Sequence, residues 1–181
     1  MDMPTHFSTD RLVLEPLALT DTDFIAALVN APGWLAFIGD RSVHTRDDAG
    51  AYIRKILATA TVRYWVVRLL ADSTPVGAVT VIERDYLDHP DIGFALLPEY
   101  EGRGYAYEAA AAVLQHLLQC AALPEVLAAT MAANVRSIRL LEKLGLTYRY
   151  ETQQDDAELA VYGIVNPYPA LEALGDGDSG R

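Results

Sequence analysis

Pro98-Glu99-Tyr100-Glu101-Gly102-Arg103-Gly104-Tyr105-Ala106 is the stretch on which the reading of this chain turns. Before it, Asp91-Ile92-Gly93-Phe94-Ala95-Leu96-Leu97 reads as a short apolar strand, stopped by Pro98. After it, residues 107–121 are rich in alanine and leucine and predict a helix. Gly102 and Gly104 can take backbone angles closed to other residues and place no side chain in the way. The first amides of the helix have no internal partner and point outward as donors. With the helix dipole behind them, these donors make a site for a phosphate or pyrophosphate. A bare Gly-x-Gly also fits a plain tight turn, so the glycines alone do not decide function. The loop holds no lysine, which excludes a Walker-type phosphate loop.

Composition narrows the classes. A chain of 181 residues is long enough for one domain with a real core. We expect a single domain over residues 1–170 and a disordered tail over 171–181, where glycine, aspartate and serine dominate. Hydrophobic residues make up 51% and charged residues 22%, a globular balance. No apolar run is long enough for a membrane span, and the start lacks a charged-then-apolar leader pattern. The expectation is a cytoplasmic protein with no membrane partner. The net charge of −11, with no basic block, argues against nucleic acid. An acidic surface suits a cationic substrate such as an amine or basic peptide, and equally well serves solubility alone. The one cysteine, Cys120, cannot form an internal disulfide and reads as packing. With four scattered histidines it offers no metal-ligand spacing, so no metal is expected. His89, in the polar loop 85–90, reads as a solvated loop histidine.

Taken in order, residues 1–8 look like a loose start, and Arg11 to Leu17 reads as the first strand. Thr20 or Asp21 can cap a helix to about Asn30, ended by Ala31-Pro32-Gly33. Thr45 caps a second helix, with Asp47 and Asp48 near its positive end. Residues 63–70 and 74–83 predict an antiparallel hairpin. Residues 125–132 form a strand, residues 134–144 a helix stopped by Gly145, and 147–152 with 158–165 two closing strands. A helix crossover joins the strands on either side of the glycine loop, so these two must run parallel.

The residues also carry a resemblance. Glu101-x-x-Gly104-x-Ala106 resembles the Gln/Arg-x-x-Gly-x-Gly/Ala signature of the GNAT superfamily of N-acyltransferases. Asn134-Val135-Arg136-Ser137-Ile138-Arg139-Leu140-Leu141-Glu142-Lys143-Leu144-Gly145-Leu146 resembles that family's second block, Asn-x-x-Ser/Ala-x-x-Leu-x-Glu-Lys-x-Gly-Phe. Gly102 to Ala109 and the opening Thr9-Asp10-Arg11-Leu12 are similar to the Rim-type (RimJ/RimL-like) branch of ribosomal-protein N-terminal acetyltransferases. Glu15 stands where that branch usually has arginine, a departure that touches surface charge. The resemblance spans roughly Thr9 to Val165.

It implies an α/β (α+β) mixed sheet, mostly antiparallel, of about six or seven strands with a splayed parallel central pair and about four helices. It implies acetyl-CoA as co-substrate and direct attack on its thioester by a primary amine. The acceptor could be a protein N-terminus, a polyamine, an amino acid or an aminoglycoside-like drug. A non-catalytic acyl-CoA-binding module and a different acyl donor remain the other readings, as do monomer and homodimer.

By the same resemblance, Glu101, Gly102, Arg103, Gly104, Tyr105 and Ala106 hold the pyrophosphate, and backbone groups of Phe94, Ala95 and Leu96 hold the pantetheine and thioester carbonyl. Asn134 approaches the pantetheine arm, a role compatible with an ordinary helix N-cap. Many relatives carry a tyrosine at Leu141 that protonates the departing thiolate; Ser137, one turn earlier, is the substitute here, or merely packs. An α-amine with pKa near ~8 is partly neutral at pH 7, whereas a lysine-type amine near ~10.4 needs a base far more. Asp91 and Glu83 compete for that role, against the reading of each as a solvated strand-end acid. Trp34, Phe37 and Arg41 are candidates for the acceptor pocket, with aromatic packing the competing account. Glu108 reads as support for the helix start.

Overall fold

The hairpin expected over 63–83 becomes the centre of an eight-stranded sheet. The computed structural model describes residues 3–119, 123–154 and 157–167; Cys120 and the expected tail lie outside them. The strands are β1 (Phe7–Ser8), β2 (Leu12–Pro16), β3 (Val62–Leu69), β4 (Pro75–Ile82), β5 (Asp91–Leu96), β6 (Glu125–Met131), β7 (Thr147–Gln154) and β8 (Ala157–Val165). The helices are α1 (Thr22–Val29), α2 (Pro32–Phe37), α3 (Arg46–Ala58), α4 (Tyr105–Gln119) and α5 (Val135–Lys143). The sheet order is β1-β2-β3-β4-β5-β6-β8-β7, antiparallel except between β5 and β6. This is the mixed sheet that the crossover argument requires.

Two expectations change in detail. Residues 1–8 are not wholly loose: Phe7 and Ser8 pair with Leu14 and Val13. Phe7 anchors this edge by an edge-on contact with Trp65, ring centres 5.4 Å apart. A two-residue strand is too short to show alternation in sequence. Ala31-Pro32-Gly33 does end α1, but Pro32 also opens α2. Proline lacks an N–H, and the first helical position does not need one, so the same residue that stops one helix can start the next.

Both faces of the sheet are covered. On one, α4 buries Ala109, Ala110, Val113 and Leu117 against Leu12, Trp65, Val79, Ile92 and Val126. On the other, α1, α2 and α3 bury Phe24, Ile25, Leu28, Trp34 and Ile53 against Tyr64, Val66 and Ala78. Thr45 caps α3 with a reciprocal box: its hydroxyl accepts from the Asp48 amide at 3.1 Å, and its own amide donates to the Asp48 carboxylate at 2.8 Å. The parallel pair departs from regularity. Asp91 of β5 pairs with Leu127 of β6, and the register goes no further. Beyond that point the two strands part, and the sheet opens.

Candidate functional site

The loop before α4 is held in one conformation from several sides. Gly102 and Gly104 have φ of +73° and +83°, which L side chains rarely adopt. The amides of Gly102, Arg103 and Gly104 donate to no acceptor among the described residues. Those of the first turn of α4 have no partner within the helix. The Arg103 guanidinium lies 5.6 Å from the centre of the Tyr100 ring. The Glu101 carboxylate pairs with Arg136 of α5, which ties the loop to the second sequence block. Glu108, in the first turn of α4, accepts from the Thr9 hydroxyl at 2.6 Å and from the Arg11 amide at 3.0 Å. Burial pushes its carboxyl up, but the hydrogen bonds from Thr9 and Arg11 outweigh this and hold it below the usual glutamate value. Arg11 also donates to the Arg103 carbonyl at 3.0 Å. The opening Thr9-Asp10-Arg11-Leu12 is therefore a brace for the loop.

Gly104→Val is expected to weaken acetyl-CoA binding by at least about tenfold in calorimetry, because a β-branched residue is not tolerated at this φ. Its Cβ would also lie 3.4 Å from Nη2 of Arg11. Unchanged affinity would show that the loop does not contact the ligand.

The second feature is the fork. Asp91 is 3% exposed, and both of its oxygens are used. Oδ2 accepts from Arg84 Nε at 2.9 Å, and Oδ1 accepts from the Ala129 amide at 3.0 Å. In a continuing parallel ladder that β6 amide would donate to the β5 backbone. The Asp91 side chain takes its place, so β6 can leave β5 without orphaning the donor. Burial pushes the Asp91 carboxyl up, while Arg84 and the Ala129 amide pull it the other way.

A cavity of about 710 Å³ opens at this fork. It runs from α2 and α3, across β3, β4 and β5, to β6 and the start of α5. Asp91, Phe94, Ala95, Asn134, Ser137, Trp34, Phe37 and Arg41 all line it, so candidates far apart in sequence meet here. Asn134 caps α5, its Oδ1 accepting from the Ser137 amide at 3.2 Å. Gly93 faces Thr80 across the β4–β5 pair, and a Cβ there would come within 2.7 Å of Thr80 Oγ1. Its bareness keeps the cavity floor low. Leu141 lines the wall and is 1% exposed.

Other candidates fall elsewhere. Glu83 is exposed and off the cavity wall, because Thr80, Ile82 and Arg84 take the inward positions and Glu83 falls between them. The Leu96 side chain packs toward the α4-side core. Residues 101–106 form no part of the cavity wall and lie apart from it, linked to α5 through Glu101. Sequence reasoning missed Arg84, Tyr52, Tyr64 and Tyr86, which also line the cavity. Burial pushes the hydroxyls of Tyr52 and Tyr64 up, so both stay protonated donors.

Parallel strands that part beside a buried carboxylate, with a loop of unpaired amides tied to α5, fit the frame of an acyltransferase. The acetyltransferase (GNAT) domain model matches residues 11–147, and the chain belongs to that family. It is similar to the uncharacterized N-acetyltransferase YnaD of Bacillus subtilis (strain 168), 25% identical over 142 residues, covering 78% of this chain and 82% of that protein. The fold is shared with a ribosomal-protein-S5-alanine acetyltransferase from Vibrio fischeri at a TM-score of 0.75 and 16% identity, covering 91% of this chain and 98% of the other. It is shared too with a spermidine N-acetyltransferase from Vibrio cholerae, solved in complex with CoA and spermine, at 0.73 and 18%, covering 88% and 98%. Among the described residues no helix is long and apolar enough to cross a membrane, and no cluster could hold a metal ion.

Proposed function

We propose that this acetyltransferase moves the acetyl group of acetyl-CoA to a primary amine by direct attack while both substrates are bound. The observation that carries the reading is the fork: the parallel strands part immediately after Asp91, beside a cavity that reaches Asn134 and Ser137. Bound acetyl-CoA supplies an activated thioester carbonyl. The free amides of Gly102, Arg103 and Gly104 and the first turn of α4 hold its pyrophosphate. The β5 backbone at Phe94, Ala95 and Leu96, no longer paired to β6, offers hydrogen bonds to the pantetheine and the carbonyl oxygen. Asn134 spends its carbonyl on the helix cap and keeps its NH2 for the arm. Ser137 donates a hydrogen bond to the departing sulfur. Asp91 draws the ammonium toward the fork and takes its proton through a water. Much of the rate then comes from alignment of the two reactants, with modest acid–base help.

The opening motif and the S5-alanine neighbour favour a Rim-type assignment, with a protein N-terminus or a small amine as acceptor. A cytoplasmic location suits such acceptors.

The test is titration with acetyl-CoA followed by steady-state assays over an amine panel. Saturable binding and an acetylated amine product are expected. Thioester hydrolysis with no acetylated amine would mark a CoA-binding sensor instead. Ser137→Ala is expected to lower kcat by up to about tenfold with little change in KM, as befits a hydrogen bond made mainly in the transition state. An equal effect on acetyl-CoA affinity would reassign Ser137 to binding.

A further inference from the structure

The charges on the cavity wall run against those of the chain. The protein carries a formal charge of −11, yet the charged groups lining the cavity are Arg41, Arg84 and Asp91. Arg84 and Asp91 are paired with each other. Arg41 makes no ion pair among the described residues, and its guanidinium is a hydrogen-bonding neighbour of the Tyr52 hydroxyl. The neighbouring acids are engaged or turned away. Asp40 accepts from the Ser42 amide at 2.6 Å, Asp21 is held by Arg68 and the Ala18 amide, and Glu83 and Asp85 are exposed off the wall.

The rest of this end is apolar and aromatic. Trp34 and Tyr64 are each 8% exposed. Trp34 Nε1 and the Tyr64 hydroxyl have no hydrogen-bond partner among the described residues. This end of the cavity therefore offers an aromatic wall and one guanidinium outside any ion pair. A polyamine would bring several cations to a wall whose one carboxylate, Asp91, is already paired with Arg84.

We propose that the acceptor is a small primary amine with an apolar or aromatic body that also carries a carboxylate: chemically, a hydrophobic α-amino acid. Its carboxylate meets Arg41, and its side chain lies among Trp34, Phe37 and Tyr64. The inference rests on the acetyltransferase reading above and narrows it. The neutral amine nitrogen forms a bond to the thioester carbon, the carbon–sulfur bond breaks, and the amine's surplus proton balances the thiolate as CoA-SH.

The experiment compares kcat/KM for phenylalanine, phenethylamine, phenylalanyl-alanine and spermidine, each with acetyl-CoA. Phenylalanine is expected to exceed phenethylamine by about tenfold or more, the scale of a charge-assisted hydrogen bond in a partly desolvated site. Arg41→Met is expected to bring that ratio near one, through a raised KM for phenylalanine, and Arg41→Lys to keep part of it. Spermidine, phenethylamine or the dipeptide turning over faster than phenylalanine would overturn the inference while leaving the acetyltransferase reading intact. A preference unmoved by Arg41→Met would overturn it as well. If no amine in the panel were acetylated by a protein that still bound acetyl-CoA, the inference would fall; failure to bind acetyl-CoA at all is the result that would take the acetyltransferase reading with it.

Discussion

Asp91→Ala is expected to destabilise the fold by about 3 kcal/mol, the lower end of what breaking a buried ion pair costs. Two groups lose their partner at once: the Arg84 guanidinium and the Ala129 amide. Arg84 has a side chain 34% exposed and can turn partly to water, which keeps the loss from being larger. The part-buried Ala129 amide, where β6 has just left β5, loses its acceptor as well. Activity should fall further than stability, since the geometry of the fork depends on this side chain. Chemical unfolding of the purified variant checks the first claim. A change within the ~0.5 kcal/mol usual for surface substitutions would mean that the fork holds without the carboxylate.

Asp91→Asn separates charge from shape. Its carbonyl oxygen can still accept from Ala129, so it should lose less stability than the alanine variant. The pH dependence has a definite sign. Burial raises the Asp91 carboxyl above its ordinary value near 3.8. The folded state therefore holds the proton more tightly than the unfolded state. That contribution is fully present below the ordinary value and is lost as pH rises through the raised one. The stability advantage of the wild type over Asp91→Asn should accordingly shrink as pH rises from about 4. An advantage that grew over the same range would show that Arg84, not burial, governs the group.

Much of the fold was readable because its signals are local. Gly102 and Gly104 marked the turn, Thr45 marked a helix start, and the crossover helix required the parallel pair. Cavity partners were harder. Arg84 and Asp91 are separated by a loop whose path is not encoded in any period, so their pairing appears only once β4 and β5 are laid side by side. The same limit explains Glu83. Its place at a strand end suggested a base, but inward and outward positions there are set by the register of β4 with its neighbours, and Glu83 faces out. Tyr64 looked like one more residue of an apolar strand. Its place on one cavity wall with Trp34 and Arg41 shows only in the fold, because those residues arrive from elsewhere in the chain. Net charge works at a different scale: the chain carries −11, while the charged groups on the cavity wall are Arg41, Arg84 and Asp91.

Glu108→Ala carries the other large expectation, a loss of about 2–3 kcal/mol in stability together with at least about tenfold weaker acetyl-CoA binding, as for a charged acceptor with several donors removed. The carboxylate receives the Thr9 hydroxyl, the Arg11 amide, Arg11 Nε at 2.7 Å and Nη2 at 2.6 Å. With the acid gone, Arg11 loses the group that aims it. Arg11 in turn holds the Arg103 carbonyl and lies 4.7 Å from the centre of the Tyr105 ring, so both ends of the glycine turn loosen together. Arg11→Ala tests the chain of contacts from its other end. Its side chain is 47% exposed, so it should cost less stability, yet it should weaken acetyl-CoA about as much. The acid side adds a sign. The Glu108 carboxyl lies below its ordinary value near 4.5, so its contribution is present above that value and is lost as pH falls through the lowered one. Affinity for acetyl-CoA should therefore decline in that acidic window in the wild type. In Glu108→Gln, which keeps an oxygen for Thr9 and the Arg11 amide but has no charge to lose, this component of the decline should be absent. If Glu108→Ala lowered stability but bound acetyl-CoA as tightly as the wild type, the brace would serve the fold alone and the loop would need another explanation for its rigidity.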